Sequence, residues 1–416
     1  MKVVLEENRR TDQVALHIHY GVGSRDERDG ERGLAHLFEH LMFEGSAHVP
    51  GASFDEWLTS GGGSNNAYTS EDETAYHEVF PAGALDLTLF LESDRLGYLQ
   101  PGLTDENLAN QQQVVLQERA RGYNEPNGRD WDALSRLLFT KGHPYHVPVI
   151  GTISDIENVK LKGVKSFFTR HYRPDNAVLG MVGNFETEQA LARIQHWFSD
   201  VPSLPAEAER VTEVARPRTP AQGVLHDAQV EDSTLYLAWR TVPTGHEDDA
   251  ALSVARWILS GGRGTRLDDA LYYKREVVDD NGVFFYTGDI DGLFLVYATL
   301  SEPKLARPKR LIRKVLDKVS RKPPSEAELK RAKRSIRNRV LASLETPRDR
   351  AGTLVECTRL FGTPDCVREQ MRQVDAVTAE QVVQVMERWL TPEHMVQLAV
   401  VPEGIEVPES TEVELP

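Results

Sequence analysis

His36, Glu39 and His40 form the grouping in this chain best suited to chemistry, set in Gly33-Leu34-Ala35-His36-Leu37-Phe38-Glu39-His40-Leu41-Met42-Phe43. On a helix, residues three and four apart share one face, so both imidazoles and the carboxylate converge. Two imidazoles can hold a divalent metal, and a carboxylate beside them can act as a base on water that the metal acidifies. Leu34, Leu37, Phe38, Leu41 and Met42 supply apolar flanks, so a buried helix with its polar patch facing a cavity is expected. A catalytic zinc usually takes three protein ligands and leaves a fourth position open. The polar segment from Thr104 to Tyr123 offers Glu106 and Glu118 for the third.

The elements that must position these residues are legible as patterns. Val14, Leu16, Ile18 and Tyr20 alternate along a strand before a turn-rich loop at Gly21–Glu27. Phe54–Ser60 is expected to be a helix ended by Gly61-Gly62-Gly63, and residues 66–81 to be extended. Leu85–Leu99 and Thr104–Tyr123 predict two helices, the second capped by Thr104. Leu161–Arg170 and Thr187–Phe198 predict helices around a strand at Ala177–Val182. Four prolines between 202 and 222 (Pro202, Pro205, Pro217, Pro220) predict a linker.

Beyond the linker the chain repeats itself. Tyr172-Arg173-Pro174 resembles Leu390-Thr391-Pro392 at an offset of 218, Leu16–Tyr20 alternates like Leu235–Trp239 at 219, and Thr104–Leu108 resembles Ser325–Leu329 at 221. Three ordered matches at nearly one offset predict a duplicated α/β domain of about 200 residues. The expected organisation is domain 1–205, linker 206–222 and domain 223–416. The copies are chemically unequal: at offset 219, His36, Glu39 and His40 fall on Ala255, Ile258 and Leu259.

Bulk properties narrow the function. The 416 residues carry a net charge of −16, which argues against nucleic-acid binding. No apolar run is long enough to span a membrane, and Met1–Arg10 has no apolar signal core. A soluble chain is expected, cytoplasmic as it stands or periplasmic if a signal was removed. The two cysteines, Cys357 and Cys366, are expected to be free or buried thiols, although a turn between them could bring them together.

The order His-x-x-Glu-His is the inverzincin motif. The whole chain resembles the inverzincin metallopeptidases related to pitrilysin, insulin-degrading enzyme and the mitochondrial processing peptidase, the M16 family. The resemblance rests on His36–His40, on Gly62-Gly63 to Asn66-Ala67-Tyr68-Thr69 with Asp72, Thr74 and Tyr76, and on Asn110–Arg119. It continues in His143-Pro144-Tyr145, Pro148–Gly151, and Gly261-Gly262 with Thr265-Arg266-Leu267. It implies an α+β fold of two homologous domains, each an M16 half-chamber with an antiparallel-rich sheet and helices packed on one face. It also implies Glu118 as third ligand to one Zn2+ per chain. Glu39 would then be the general base on a zinc-bound water and pass the proton to the leaving amine. Asn66, Ala67 and Tyr68 resemble the family's substrate-facing edge strand, to which an extended peptide adds. His143 and Tyr145 are expected to fix a loop.

Two departures qualify the resemblance. The family often has a glutamate seven residues before the third ligand; here it is Gln111, expected to hydrogen-bond a ligand without adding charge. Active single-chain and homodimeric members also share an arginine and, seven residues on, a tyrosine in the second half, positions held here by Tyr272 and Asp279. The resemblance therefore implies the zinc-bearing subunit of a bacterial heterodimer whose metal-free partner supplies that pair, with a homodimer as the alternative. The expected function is a zinc endopeptidase acting on extended peptides in a closed chamber. The other reading is a non-catalytic core subunit of the same fold.

Overall fold

The computed structural model describes every residue except 29, 52, 203–220 and 416. Most of the expected linker, 206–222, therefore lies outside the described residues, and 221–222 already belong to a strand. Two compact units form, and neither is one continuous stretch. The first comprises Met1–Arg119, Pro148–Arg210 and Leu341–Val367; the second comprises Ala120–Val147, Val211–Val340 and Arg368–Pro416.

The expected halves 1–205 and 223–416 thus follow chain order but not packing. The helix Asp130–Leu138 buries Ala133, Leu134 and Leu138 against Leu225, Leu398 and Val400 of the second unit. The helix Pro347–Phe361 sets Ala351 against Ala15 and Val182 of the first. Each apolar stripe is buried on a sheet face that would otherwise meet water, which is what drives the exchange.

In the first unit, β1 (Lys2–Glu7), β2 (Gln13–Tyr20), β3 (Ser64–Thr69), β4 (Thr74–Pro81) and β5 (Ala177–Gly183) lie in the order β1-β5-β2-β4-β3. Only β1 and β5 run parallel. Val14, Leu16, Ile18 and Tyr20 point into the main core with Leu37, Phe38, Leu89 and Phe167. The alternate residues Ala15, His17 and His19 are buried as well, because Pro347–Phe361 covers that face. Gly180 on β5 permits this approach: a Cβ there would lie 2.3 Å from Val355 Cγ2.

The second unit repeats the topology. β6 (Ala221–His226), β7 (Ser233–Thr241), β8 (Asp280–Thr287), β9 (Gly292–Leu300) and β10 (Val396–Val401) lie in the order β6-β10-β7-β9-β8, with β11 (Thr411–Glu412) added outside β6. The expected duplication therefore shows itself as two sheets of one strand order. The α+β class and the antiparallel-rich sheets hold, and each sheet carries a helix from the exchange on the face opposite its main core. Cys357 and Cys366 form a disulfide, contrary to the expectation of free thiols; the turn at Gly362 brings their Cα atoms to 5.3 Å.

Candidate metal centre

The histidines sit on the helix Leu34–Leu41, which starts at Gly33 with φ +77°. A side chain at Gly33 would be strained, and its Cβ would stand 2.8 Å from the Ile150 carbonyl oxygen. Glu27, in the loop before the helix, accepts from the backbone N–H groups of Gly33 (3.0 Å) and Ala35 (2.8 Å). A carboxylate at this end satisfies orphan donors and suits the helix dipole. Burial still holds the Glu27 carboxyl well above its usual range, against the pull of those two bonds.

Leu34, Leu37, Phe38 and Leu41 are buried, which fixes the helix in rotation and leaves His36, Glu39 and His40 on the partly open side. Glu118 reaches them from the helix Asp105–Tyr123, whose first turn is capped by Thr104 Oγ1 accepting from Asn107 N at 3.1 Å. Glu118 Oε2 lies 3.4 Å from His40 Nε2 and 3.8 Å from His36 Nε2. One ligand atom from each of the three lies within 4.8 Å of the other two. Ligands about 2.1 Å from a tetrahedral zinc stand roughly 3.4 Å apart, so two imidazoles and this carboxylate fit the ion in donor type and spacing. Glu106, the other acidic candidate on that helix, is not part of the group.

The electrostatics suit a cation. Burial lowers the His36 pKa to about 4, so the ring is neutral, the ligating form, near pH 7. Burial also disfavours protonated His40, but the Glu118 carboxylate outweighs it and raises that ring. His40 in turn lowers Glu118. Burial raises Glu39, partly opposed by Thr69, whose Oγ1 donates to Glu39 Oε2 at 2.5 Å. A raised carboxyl beside a metal set is what a general base working near neutrality requires.

Family models match most of the chain: "Insulinase (Peptidase family M16)" over residues 2–146 and "Peptidase M16 inactive domain" over 158–336. The chain belongs to the M16 peptidases. It is 27% identical over 360 residues to the zinc protease PqqE of Helicobacter pylori, covering 83% of this chain and 78% of that one. It is likewise 27% identical over 398 residues to an uncharacterized zinc protease of Mycobacterium tuberculosis, covering 92% and 87%. The crystal structure of a protease from Helicobacter pylori shares the fold, with a TM-score of 0.86 at 24% identity over 96% of both chains.

The part of this M16 chain matched by the inactive-domain model includes Ala255, Ile258 and Leu259, all buried and apolar. His143, as the expected loop role requires, is buried near Arg240 Nη2 (3.1 Å) and Asp291 Oδ2 (3.4 Å) in the second unit. No helix among the described residues is long and apolar enough to cross a membrane.

The other expected site residues fall into place unevenly. Asn66, Ala67 and Tyr68 lie on β3, the terminal strand of the first sheet. Side chains alternate, so Ala67 shares a face with Thr69, while Asn66 and Tyr68 point to the other. Tyr68 donates to Glu73 (3.0 Å) and stands edge-on to His19. Asn66 Oδ1 accepts from the Ala67 N–H at 2.9 Å. Gln111 is buried, donates to Glu44 and helps favour protonated His40. Glu44 is thus the acidic side chain that meets Gln111. Glu27, Glu44 and Thr69 received no role from the sequence. Only Thr69 lay within a recognised motif, and the other two become meaningful through contacts across six and 67 residues.

Proposed function

We propose that this chain is a zinc-dependent endopeptidase, with His36, His40 and Glu118 holding one Zn2+ and Glu39 as general base. The observation that carries this reading is the convergence of the three ligand atoms beside a carboxylate anchored by Thr69. Zinc, when bound, supplies Lewis-acid polarisation and lowers the pKa of water. Glu39 accepts a proton from the attacking water and delivers it to the leaving amine nitrogen. Thr69 keeps the Glu39 carboxylate aimed, and because it ends β3, base and substrate strand are linked directly. An extended peptide adds to the β3 edge through main-chain hydrogen bonds, with Asn66 releasing the Ala67 N–H to it.

Catalysis is read as needing a second chain. Asp279, at the family's tyrosine position, is committed to Ser301, accepting from its N–H and its Oγ at 2.6 Å each. Tyr272, at the arginine position, has no positive charge. A metal-free partner of similar fold would bring the arginine and tyrosine. The Cys357–Cys366 disulfide favours an oxidising compartment over the cytoplasm.

The test is Glu39→Gln, with zinc content measured alongside peptide hydrolysis. Zinc should stay at one per chain while turnover falls by about 10²–10⁴-fold. Glu118→Gln should lose the metal itself. Full activity in Glu39→Gln would remove Glu39 from the mechanism, and a chain that alone cleaves as fast as any mixture with candidate partners would remove the heterodimer.

A further inference from the structure

Three histidines gather on the face of the first sheet that Pro347–Phe361 covers. His17 and His19 share that face of β2, and His77 stands opposite His17 on β4. The rings of His17 and His77 stack with centres 4.9 Å apart and planes 12° from parallel, and the His19 ring lies 5.8 Å from His17. His17 is 7% exposed and His19 1%. Neither ring nitrogen of His17 has a hydrogen-bond partner among the described residues, and Nδ1 of His77 has none. Gly352 of the helix rests directly on the pair: a Cβ there would stand 3.1 Å from His17 Cε1. None of the three histidines belongs to a metal-binding group among the described residues. Burying imidazole nitrogens without partners costs stability, so the cluster asks for a use other than cohesion.

The surrounding charges decide what the rings can do. Two stacked imidazoles pack when neutral and repel when charged. Their neighbours on β5, Gly180 and Val178, are uncharged. The carboxylate that acts on His17 is Glu73, already taken by Arg359 at 2.7 Å, Tyr68 at 3.0 Å and His19 Nδ1 at 3.3 Å. From the helix, Arg348 and Asp349 act on His77, and Glu356 and Arg359 act on Tyr68. Asp349 is itself engaged by Thr346 (2.7 Å) and by Arg348 (3.0 Å), and Glu6 of β1 is engaged by Arg350 (2.6 Å). So no free carboxylate waits to receive a charged His17. Burial first, then His19, His77 and Arg348, push the His17 ring down to about 2, and burial and Arg348 lower His77 as well. A lowered histidine contributes stability above its unfolded pKa and loses it as pH falls, here from about 6.5 downward.

We propose that His17 and His77 form an acid-operated latch, in which proton uptake by the pair releases Pro347–Phe361 from the first sheet. Neutral rings let the helix lie flat on β2 and β5. A charged ring regains water only where the helix has lifted. The latch is separate from the metal centre, and it stands or falls without reference to peptide hydrolysis.

The experiment is hydrogen exchange of the zinc-loaded full chain at pH 5.0 and 7.5, corrected for the intrinsic pH dependence of amide exchange. With a His17 pKa of about 6.5 when the helix is open and about 2 when it is closed, the opening constant of amides around Gly352–Val355 should rise about 30-fold at pH 5.0. The amides of β2 and β5 should keep their protection. The equivalent helix of the second unit, Asp130–Leu138, should not open with acid, and a chelated sample should show the same rise at Gly352–Val355. The double variant His17→Leu/His77→Gln should hold that rise to about twofold or less, and His17→Gln replaces His17→Leu if the leucine chain does not fold. A flat profile in the wild type overturns the proposal, as does an undiminished rise in the double variant. So does loss of protection in β2, β5 and the helix together, since acid would then unfold the unit rather than release the helix, or a rise that disappears on chelation.

Discussion

Arg95→Met should damage the first unit far more than its position outside the metal centre suggests. Arg95 is 1% exposed, and its guanidinium ties Glu92, through Nε at 3.0 Å, to Glu78, through Nη2 at 3.1 Å. Both carboxylates are 0% exposed. The rings of Tyr76, Phe54 and Phe43 lie 4.2, 4.5 and 5.2 Å from the guanidinium carbon. Methionine fills much of the volume but leaves two buried carboxylates unpaired. Removing one partner of a buried pair costs about 3–5 kcal/mol, a large share of the roughly 5–15 kcal/mol that holds a domain together.

The pH dependence follows from Glu78. Burial and the adjoining Glu92 already raise its pKa well above the usual value, and Arg95 pulls it down. Without Arg95 the folded pKa rises further. A carboxyl with a raised folded pKa contributes stability below its unfolded pKa and loses it as pH rises, so the deficit of Arg95→Met should be largest near pH 8 and shrink toward pH 5. Hydrogen exchange of β4 amides reads this locally, without assuming that the two units unfold together. Adding Glu78→Gln and Glu92→Gln to Arg95→Met should recover most of the loss. A single variant within about 1 kcal/mol of wild type, or a deficit that grows with acid, would refute the reasoning.

Gly180→Ala should loosen the helix Pro347–Phe361, because the new Cβ would meet Val355 Cγ2 at 2.3 Å; overpacking of this kind costs about 1–3 kcal/mol, and Val355→Ala should relieve it in thermal unfolding. Asp130, hydrogen-bonded by Tyr236 (2.6 Å) and Asn127 (2.9 Å), is raised by burial to about 6. It therefore stabilises the second unit below about pH 4 and loses that contribution, up to about 3 kcal/mol, as pH rises through 6. Asp130→Asn should flatten that stretch of a urea-midpoint-versus-pH curve. Opening the Cys357–Cys366 disulfide by Cys366→Ser should cost about 2–3 kcal/mol and raise exchange at the C-terminal turn of Pro347–Phe361 first.

How much could be read in advance depended on how tightly the chemistry restricts residue type. The grouping of His36 and His40 was legible because the helix period fixes both on one face, and Glu118, which the structure brings beside them, was singled out from Glu106 only by the family resemblance. The strands around Val14–Tyr20 and Ala177–Val182 were legible because apolar runs bounded by turns have few alternatives. β1 was not, since Lys2–Glu7 shows no clear alternation and gains its structure by lying parallel to β5. The helix Asp130–Leu138 was missed for a related reason: Asp130, Asp132 and Arg136 mask a stripe that is apolar only against the second unit's sheet.

The exchanged helices show where one-dimensional reasoning stops. The two lie at equivalent places in the duplicated chain, starting at 130 and at 347, close to the offset that relates the other repeated segments. Each follows the long helix of its own half and caps the other half's sheet. A duplication read from spacing predicts two alike halves, but it says nothing about which half buries which surface. The exchange reaches the neighbourhood of β3 through Glu73, which Arg359 of Pro347–Phe361 bonds at 2.7 Å and which accepts from Tyr68 on the half-exposed edge strand. Thr69, one residue from Tyr68 and on the opposite face of β3, donates to Glu39, the base of the proposed reaction. The first sheet is thus covered on both faces, by the His36–His40 helix and its neighbours on one and by Pro347–Phe361 on the other. A segment that follows the second copy's long helix therefore completes the packing of the first copy's sheet.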